Sequence, residues 1–269
     1  MQITNETLIV SMTSWPKRIK YVSKALYSIL SQKVNKNLYH LVLVLAEQEF
    51  PNRENDLPTD LKLMVDDELV EIIWYKRNIF SHKKLMPTLS KYPNNPILVC
   101  DEDITRPDGW LKTFIEDHKK YPTDVLVGGC VFDISFDNGK FNPVKRFKFD
   151  DPNCAGKIIK NRRPANGFGG VLYPAHTFTD ERFFNEELMM KLSEYSDESW
   201  QFCFNIIENR TIRWISKFFR HDFGQQEGTY ESSMSKIRDC NKSKSYDLIY
   251  ENLFKEFPEF NNKLRERLK

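Results

Sequence analysis

The sequence lacks the features that would assign its 269 residues to a simple class. It has no CxxC pair. Its five cysteines, Cys100, Cys130, Cys154, Cys203 and Cys240, are odd in number and scattered, which argues against a zinc site or a disulfide framework and for reduced, buried thiols. No apolar run approaches the ~20 residues of a spanning helix. The opening MQITNETLIVSM has neither the basic start nor the long apolar core of a secretory leader, so the expected location is cytoplasmic, with the inner face of the membrane open to it through basic and aromatic side chains. A formal net charge of only +2 and the want of a basic–aromatic stripe exclude nucleic acid as the expected partner. There is no internal repeat and no low-complexity segment.

What the chain does have is material for a core. Hydrophobic residues make up 40% of it, and phenylalanine occurs 20 times, against disorder. The length suits one large α/β domain, or one with a smaller helical tail. The apolar run Thr7–Trp15 reads as a strand and is followed, after Pro16, by a helical pattern from Lys17 to about Gln32. Tyr39–Glu47 and Leu69–Lys76 read as further strands, with a short helix near 59–67 between them. Lys83–Lys91 reads as a helix, and NPILVCDED as a fourth strand. This alternation predicts a doubly wound sheet, in which ligands bind beyond the carboxyl ends of the strands. A helix is expected at about 110–120, then a strand in DVLVGGC. The stretch 131–165 reads as irregular, either a hairpin or an excursion over the site. Two helical pieces broken near Ser196, a strand in TIRWISK and a charged helical tail from about Asp247 complete the chain.

One motif stands out. ILVC runs straight into Asp101, Glu102 and Asp103. On a strand, residues i and i+2 face the same way, so Asp101 and Asp103 are expected to converge while Glu102 faces away. Two convergent carboxylates suit a hard divalent cation, Mn²⁺ or Mg²⁺, that also holds phosphate oxygens and stabilises a leaving diphosphate. Lys83 and Lys84 are expected at a helix start, where the dipole disfavours cations, so a docked anion is expected beside them.

Taken in order, IVSMTSWPKRI, HKKLMPTLSKYPNNPILVCDEDI, NGFGGVLYP and SDESWQF resemble the GT-A glycosyltransferases, in particular a bacterial family-2-like group, over about residues 8–205. The resemblance implies a GT-A, Rossmann-like doubly wound fold over 1–245 with a helical appendage at 246–269. It also implies a nucleoside diphosphate sugar donor, with uracil as the expected base, and metal-assisted transfer of one sugar to a hydroxyl of a cell-surface glycan or lipid-linked glycan. By that resemblance the donor lies against Thr13, Ser14, Lys83, Lys84, Asp101, Glu102, Asp103, Gly169 and Gly170, in a loop that begins at Asn166. Asp101 and Asp103, with a late His221, would hold the metal. Asp197 and Glu198 stand where inverting members carry a catalytic acid pair, typically in the order Glu-Asp. The order here is reversed, which leaves the base open between the two.

Each residue also has a plainer reading. Ser14 can cap a helix, as can Asp197. Lys17 and Arg18 can be solvated or touch phosphate. The glycines can serve a tight turn. His221 can be a surface side chain, and the basic cluster KIIKNRRP (157–164) a solvated loop, or a contact for lipid phosphate. Two rival functions remain in view. A sugar nucleotidyltransferase would carry a glycine-rich loop after the first strand, and SMTSWPKRI has no glycine. A non-catalytic glycan- or nucleotide-binding domain would need no metal at the acids.

Overall fold

Leu8–Thr13 (β1), Tyr39–Ala46 (β2) and Glu71–Tyr75 (β3) form one parallel half of the central sheet, and Ile97–Val99 (β4) pairs parallel with the other side of β1. The computed structural model describes residues 3–148, 155–164, 167–215, 217–233, 236 and 245–269. Cys154, Cys240 and Asn166 lie outside the described residues. Three short strands extend the sheet: Val125–Val127 (β6), Val171–Tyr173 (β11) and Ile212–Trp214 (β12), with Lys157–Ile158 (β9) at the edge. The order is β3-β2-β1-β4-β11-β6-β12-β9. β11 runs antiparallel to both β4 and β6, and β9 antiparallel to β12, so the sheet is mostly parallel.

β1 shows why this sequence makes a central strand. All six of its residues are buried. Leu8, Val10 and Met12 join one apolar cluster with Val22, Leu26, Trp110 and Phe114, while Ile9 joins the cluster on the other face with Trp200, Phe204 and Phe257. A strand covered on both faces carries apolar residues at both parities. Helices Val22–Leu30 (α1) and Trp110–Lys120 (α4) cover the first face, each presenting an apolar stripe. The second face is covered by Met86–Lys91 (α3), Glu186–Ser193 (α5), Asp197–Ile207 (α6) and two C-terminal helices, Tyr246–Glu256 (α7) and Pro258–Arg267 (α8). Thr59–Asp66 (α2) lies beside α1. Ile249, Tyr250, Leu253, Phe257, Phe260 and Leu264 are buried, so the charged C-terminal segment packs into the core by one face of each helix.

The stretch expected to be irregular is ordered in part. Val131–Asp137 (β7) and Lys140–Lys148 (β8) form an antiparallel hairpin, and Arg162–Pro164 (β10) pairs with β7. No helix among the described residues is long and apolar enough to cross a membrane. Between β1 and β4 the strand order reverses, and crevices for ligands open at such a point, beyond the carboxyl ends of the strands.

Candidate active site

The acids after β4 do not continue its pleat. The strand ends at Val99, and Glu102 and Asp103 lie in a turn before Ile104–Thr105 (β5). The i, i+2 alternation therefore stops short of them. Glu102, expected to face away, instead shares one cation with Asp103. Arg18 places one guanidinium nitrogen 3.2 Å from Glu102 and another on Asp103. Burial pushes Glu102 up to about 7, against the pull of Arg18 and with the help of Asp103 and Asp101. Asp101 stands apart, the most exposed of the three, with its side chain 27% accessible.

Around the end of β1, Thr13 donates its hydroxyl to the carbonyl of Val44, 2.7 Å away, and so ties β1 to β2. Ser14 is buried, caps no helix, and its hydroxyl has no hydrogen-bond partner among the described residues. Buried polar atoms are nearly always paired, so this hydroxyl is left available for a hydrogen bond beyond the end of β1. Lys17 lies over Trp15.

Lys83 and Lys84 do not start a helix. They close the short 3-10 helix Phe80–Lys84, ahead of α3, so the argument from an unfavourable dipole does not hold. Both are buried, and they differ in partners. Lys83 meets Glu49 at 2.5 Å. Burial outweighs Glu49 and the more distant Glu102 and lowers the Lys83 pKa. Lys84 lies 2.7 Å from Asp101 Oδ1 and 3.7 Å from Asp197 Oδ2. Burial opposes its charge, but the two carboxylates outweigh burial and raise its pKa above the ordinary lysine value. Ser11 on β1 fixes this turn: its hydroxyl donates to the carbonyl of Lys84 at 2.6 Å and is 2.8 Å from the Thr88 hydroxyl.

Ser196 caps α6, accepting from the backbone N–H of Ser199. Asp197 is thus free of that duty and occupies the first helical position, toward Lys84. Glu198, the next residue, goes elsewhere: Tyr246 on α7 donates its hydroxyl to Glu198, and Arg163 stands 3.5 Å away. His82 is buried nearby, with Nε2 2.9 Å from the carbonyl of Ser193; burial lowers its pKa although Asp197 pulls the other way.

The glycine-rich loop meets the acid turn at Gly167. Asp101 donates its backbone N–H to the carbonyl of Gly167 at 3.0 Å. Gly167 has φ +97°, and a Cβ built there would fall 2.0 Å from Asp101 Oδ1. Packing accounts for the other two glycines. A Cβ on Gly169 would fall 2.1 Å from Gly129 Cα, and one on Gly170, at φ +90°, 2.9 Å from the Trp110 ring. Trp110 donates its indole N–H to the carbonyl of Gly169 at 2.7 Å.

Two sequence readings dissolve here. His221 does not join Asp101 and Asp103: among the described residues no three His, Cys, Asp or Glu side chains gather as a metal site. The His221 side chain is 80% exposed and stacks on Phe219, because the 3-10 turn Arg220–Asp222 leaves it on the surface. The basic cluster 157–164 is also not one surface. Arg162 pairs with Asp133 at 2.8 Å and Arg163 is wholly buried, which leaves Lys157 and Lys160 exposed.

The scattered residues missed in the sequence are Arg106 and Gln226. Arg106 donates to the carbonyls of Asp101, at 2.6 Å, and Ile104. Gln226 donates its backbone N–H to the carbonyl of Asp103 at 2.9 Å, next to the short pairing of Gly224–Gln225 (β13) with β5. No local pattern announces such contacts. The glycines of NGFGG were the only available signal, and they pointed to a close approach without naming the neighbour.

No protein-family model and no curated protein sequence matches the chain. Solved structures do. A structure of S. aureus TarS 1-349 superposes with TM-score 0.51 at 17% identity, over 96% of this chain and 71% of that one. TarS 1-349 in complex with UDP gives TM-score 0.51 at 15% identity, over 97% and 70%. A longer S. aureus TarS structure gives TM-score 0.50 at 16% identity, over 79% of this chain, which spans 36% of that one. The fold is thus of the GT-A type, α/β with a mostly parallel sheet.

Proposed function

We propose that this chain is a glycosyltransferase that moves a sugar from a nucleoside diphosphate sugar to a hydroxyl of a glycan acceptor, with inversion. The observation that carries this reading is the single buried ammonium of Lys84 between Asp101, at the carboxyl end of β4, and Asp197, at the first position of α6. Two carboxylates with separate environments on one crevice suit separate tasks.

In this reading Asp197 is the base. The acceptor oxygen attacks the anomeric carbon, its proton passes to an Asp197 oxygen, and the bond to the donor diphosphate breaks, with the electron pair leaving on the diphosphate. Glu198 is held by Arg163 and Tyr246, which supports Asp197 over its neighbour. Lys84 orients both carboxylates and stands ready for phosphate oxygens. Ser14 offers its unpaired hydroxyl to the nucleotide.

Asp101 and Asp103 would hold Mn²⁺ or Mg²⁺. The donor set fits an ion that takes one or two carboxylates and completes its shell with water and phosphate oxygens, and it does not fit an all-protein cage. Such an ion neutralises charge on the leaving diphosphate. The UDP complex of TarS 1-349 supports uracil as the base to test first. The acceptor, a cell-surface or lipid-linked glycan, rests on the family resemblance.

The test is a thermal-shift titration with UDP, GDP and other nucleoside diphosphates, with and without Mn²⁺, on the wild type and on Asp101→Asn. A ligand bound to the native state raises the midpoint with the logarithm of its concentration over its Kd. UDP is expected to stabilise the wild type with metal present, and the variant is expected to lose that effect. No shift with any nucleotide at millimolar concentration would overturn the transferase reading.

A further inference from the structure

Glu198 sits beside the proposed base and yet is turned into the protein. Its Oε1 accepts from the Tyr246 hydroxyl and is 3.5 Å from Arg163. The Arg163 guanidinium is wholly buried and lies 4.4 Å from the ring centroids of both Phe132 and Tyr246 and 6.0 Å from that of Tyr250. Its Nε donates to the carbonyl of Pro143 at 2.8 Å. Residues from β7, β8 and α7 thus converge on Arg163 of β10, and Arg163 and Tyr246 together hold one carboxylate of α6.

Stability alone does not account for this cluster. Burying an arginine and a glutamate costs the hydration of both, and apolar side chains of similar volume generally serve a core as well or better. What an ion pair adds is direction. Successive helical residues project about 100° apart, so drawing Glu198 to Arg163 sets where Asp197 points. The groups facing Asp197 on its own side include Lys84, at 3.7 Å, and His82 from the 3-10 helix. Those on the Glu198 side include Arg163, Tyr246 and Tyr250. The Ser196 cap holds the backbone at the same turn.

We propose that Glu198, clamped by Arg163 and by Tyr246 of α7, is a positioning residue that turns Asp197 toward Lys84 and the reacting centre. The C-terminal helical segment then contributes to the transfer step and not only to the core. This rests on Asp197 being the base.

The experiment measures UDP release from a panel of UDP-sugars, UDP affinity and thermal midpoint for the wild type, Glu198→Gln and Tyr246→Phe. Glu198→Gln is expected to lower kcat about tenfold or more, with UDP affinity within about twofold of the wild type. It removes a negative charge beside Asp197 and leaves Arg163, so the acid limb of the pH–rate profile is expected to move to lower pH. Tyr246→Phe keeps the ring against Arg163 and is expected to lower kcat several-fold, again without loss of UDP affinity. Should Glu198→Gln fail to fold, Tyr246→Phe decides alone. Folded variants with wild-type kcat and an unmoved acid limb overturn the positioning role and leave the transferase reading standing. So does a fall in kcat that only tracks the thermal midpoint. A wild type that releases UDP from no donor overturns the transferase reading, and this role with it.

Discussion

Lys84 and Asp101 form a half-buried ion pair of 2.7 Å across the switch point of the sheet, and the same ammonium lies 3.7 Å from Asp197. One cation therefore answers two carboxylates that belong to different segments. The cation in that place is kept charged by its partners against burial.

Replacing Lys84 by methionine keeps much of its volume and removes the charge. Asp101 and Asp197 then both lose the Lys84 ammonium, and breaking such a buried pair costs about 3 kcal/mol. Lys84→Met is expected to unfold at lower denaturant concentration and to lose sugar transfer almost wholly. Equilibrium urea unfolding and a donor-turnover assay check the two effects. A variant as stable as the wild type would show that the pair is not what holds this turn.

Gly167→Ala is expected to act on Asp101 at a distance of one side-chain contact. The new Cβ would fall 2.0 Å from the Asp101 carboxylate, and φ at +97° is strained for any side chain. The expected cost is about 1–3 kcal/mol in stability, with a larger relative loss in metal-dependent nucleotide binding, read by titration calorimetry. Gly139, also at positive φ but with open space around its Cβ position, supplies the control: Gly139→Ala is expected to cost stability and leave nucleotide affinity alone.

Glu71 carries a pH dependence away from the site. Burial raises its pKa, but hydrogen bonds from His40, Lys91 and Tyr92 outweigh burial and bring it down to about 2, below the ordinary 4.5. A lowered folded-state value means stability that is present above the ordinary pKa and lost as pH falls toward the folded one. The wild type is expected to exceed Glu71→Gln by about 1 kcal/mol near neutrality, after allowance for solvent screening. The gap is expected to close between about pH 4.5 and pH 2. Thermal midpoints over that range check it, and a gap independent of pH would contradict the assignment.

Much of the fold was legible. The runs IVSM, HLVLVLA and ILVC are apolar at both parities, and only a strand covered on both faces asks for that. The acids after ILVC were legible for the same reason: a run of carboxylates has no place in a core and must lie at a strand end. The stretch 131–165 was not legible, because its Phe and Lys alternation is equally the mark of a hairpin and of a surface excursion. Lys83 and Lys84 look alike in sequence, yet one faces a single acid and the other faces two.

By itself the sequence determined the alternation of strands and helices and the place of the acids, since hydrophobic period and chain direction are local properties. Only the tertiary structure decided which charge answers which. Arg18 took Glu102 and Asp103, Lys84 took Asp101 and Asp197, and Arg163 with Tyr246 took Glu198. Those pairings join residues far apart in the chain, and the strength of each depends on burial and distance, which exist only after the sheet and its helices have packed.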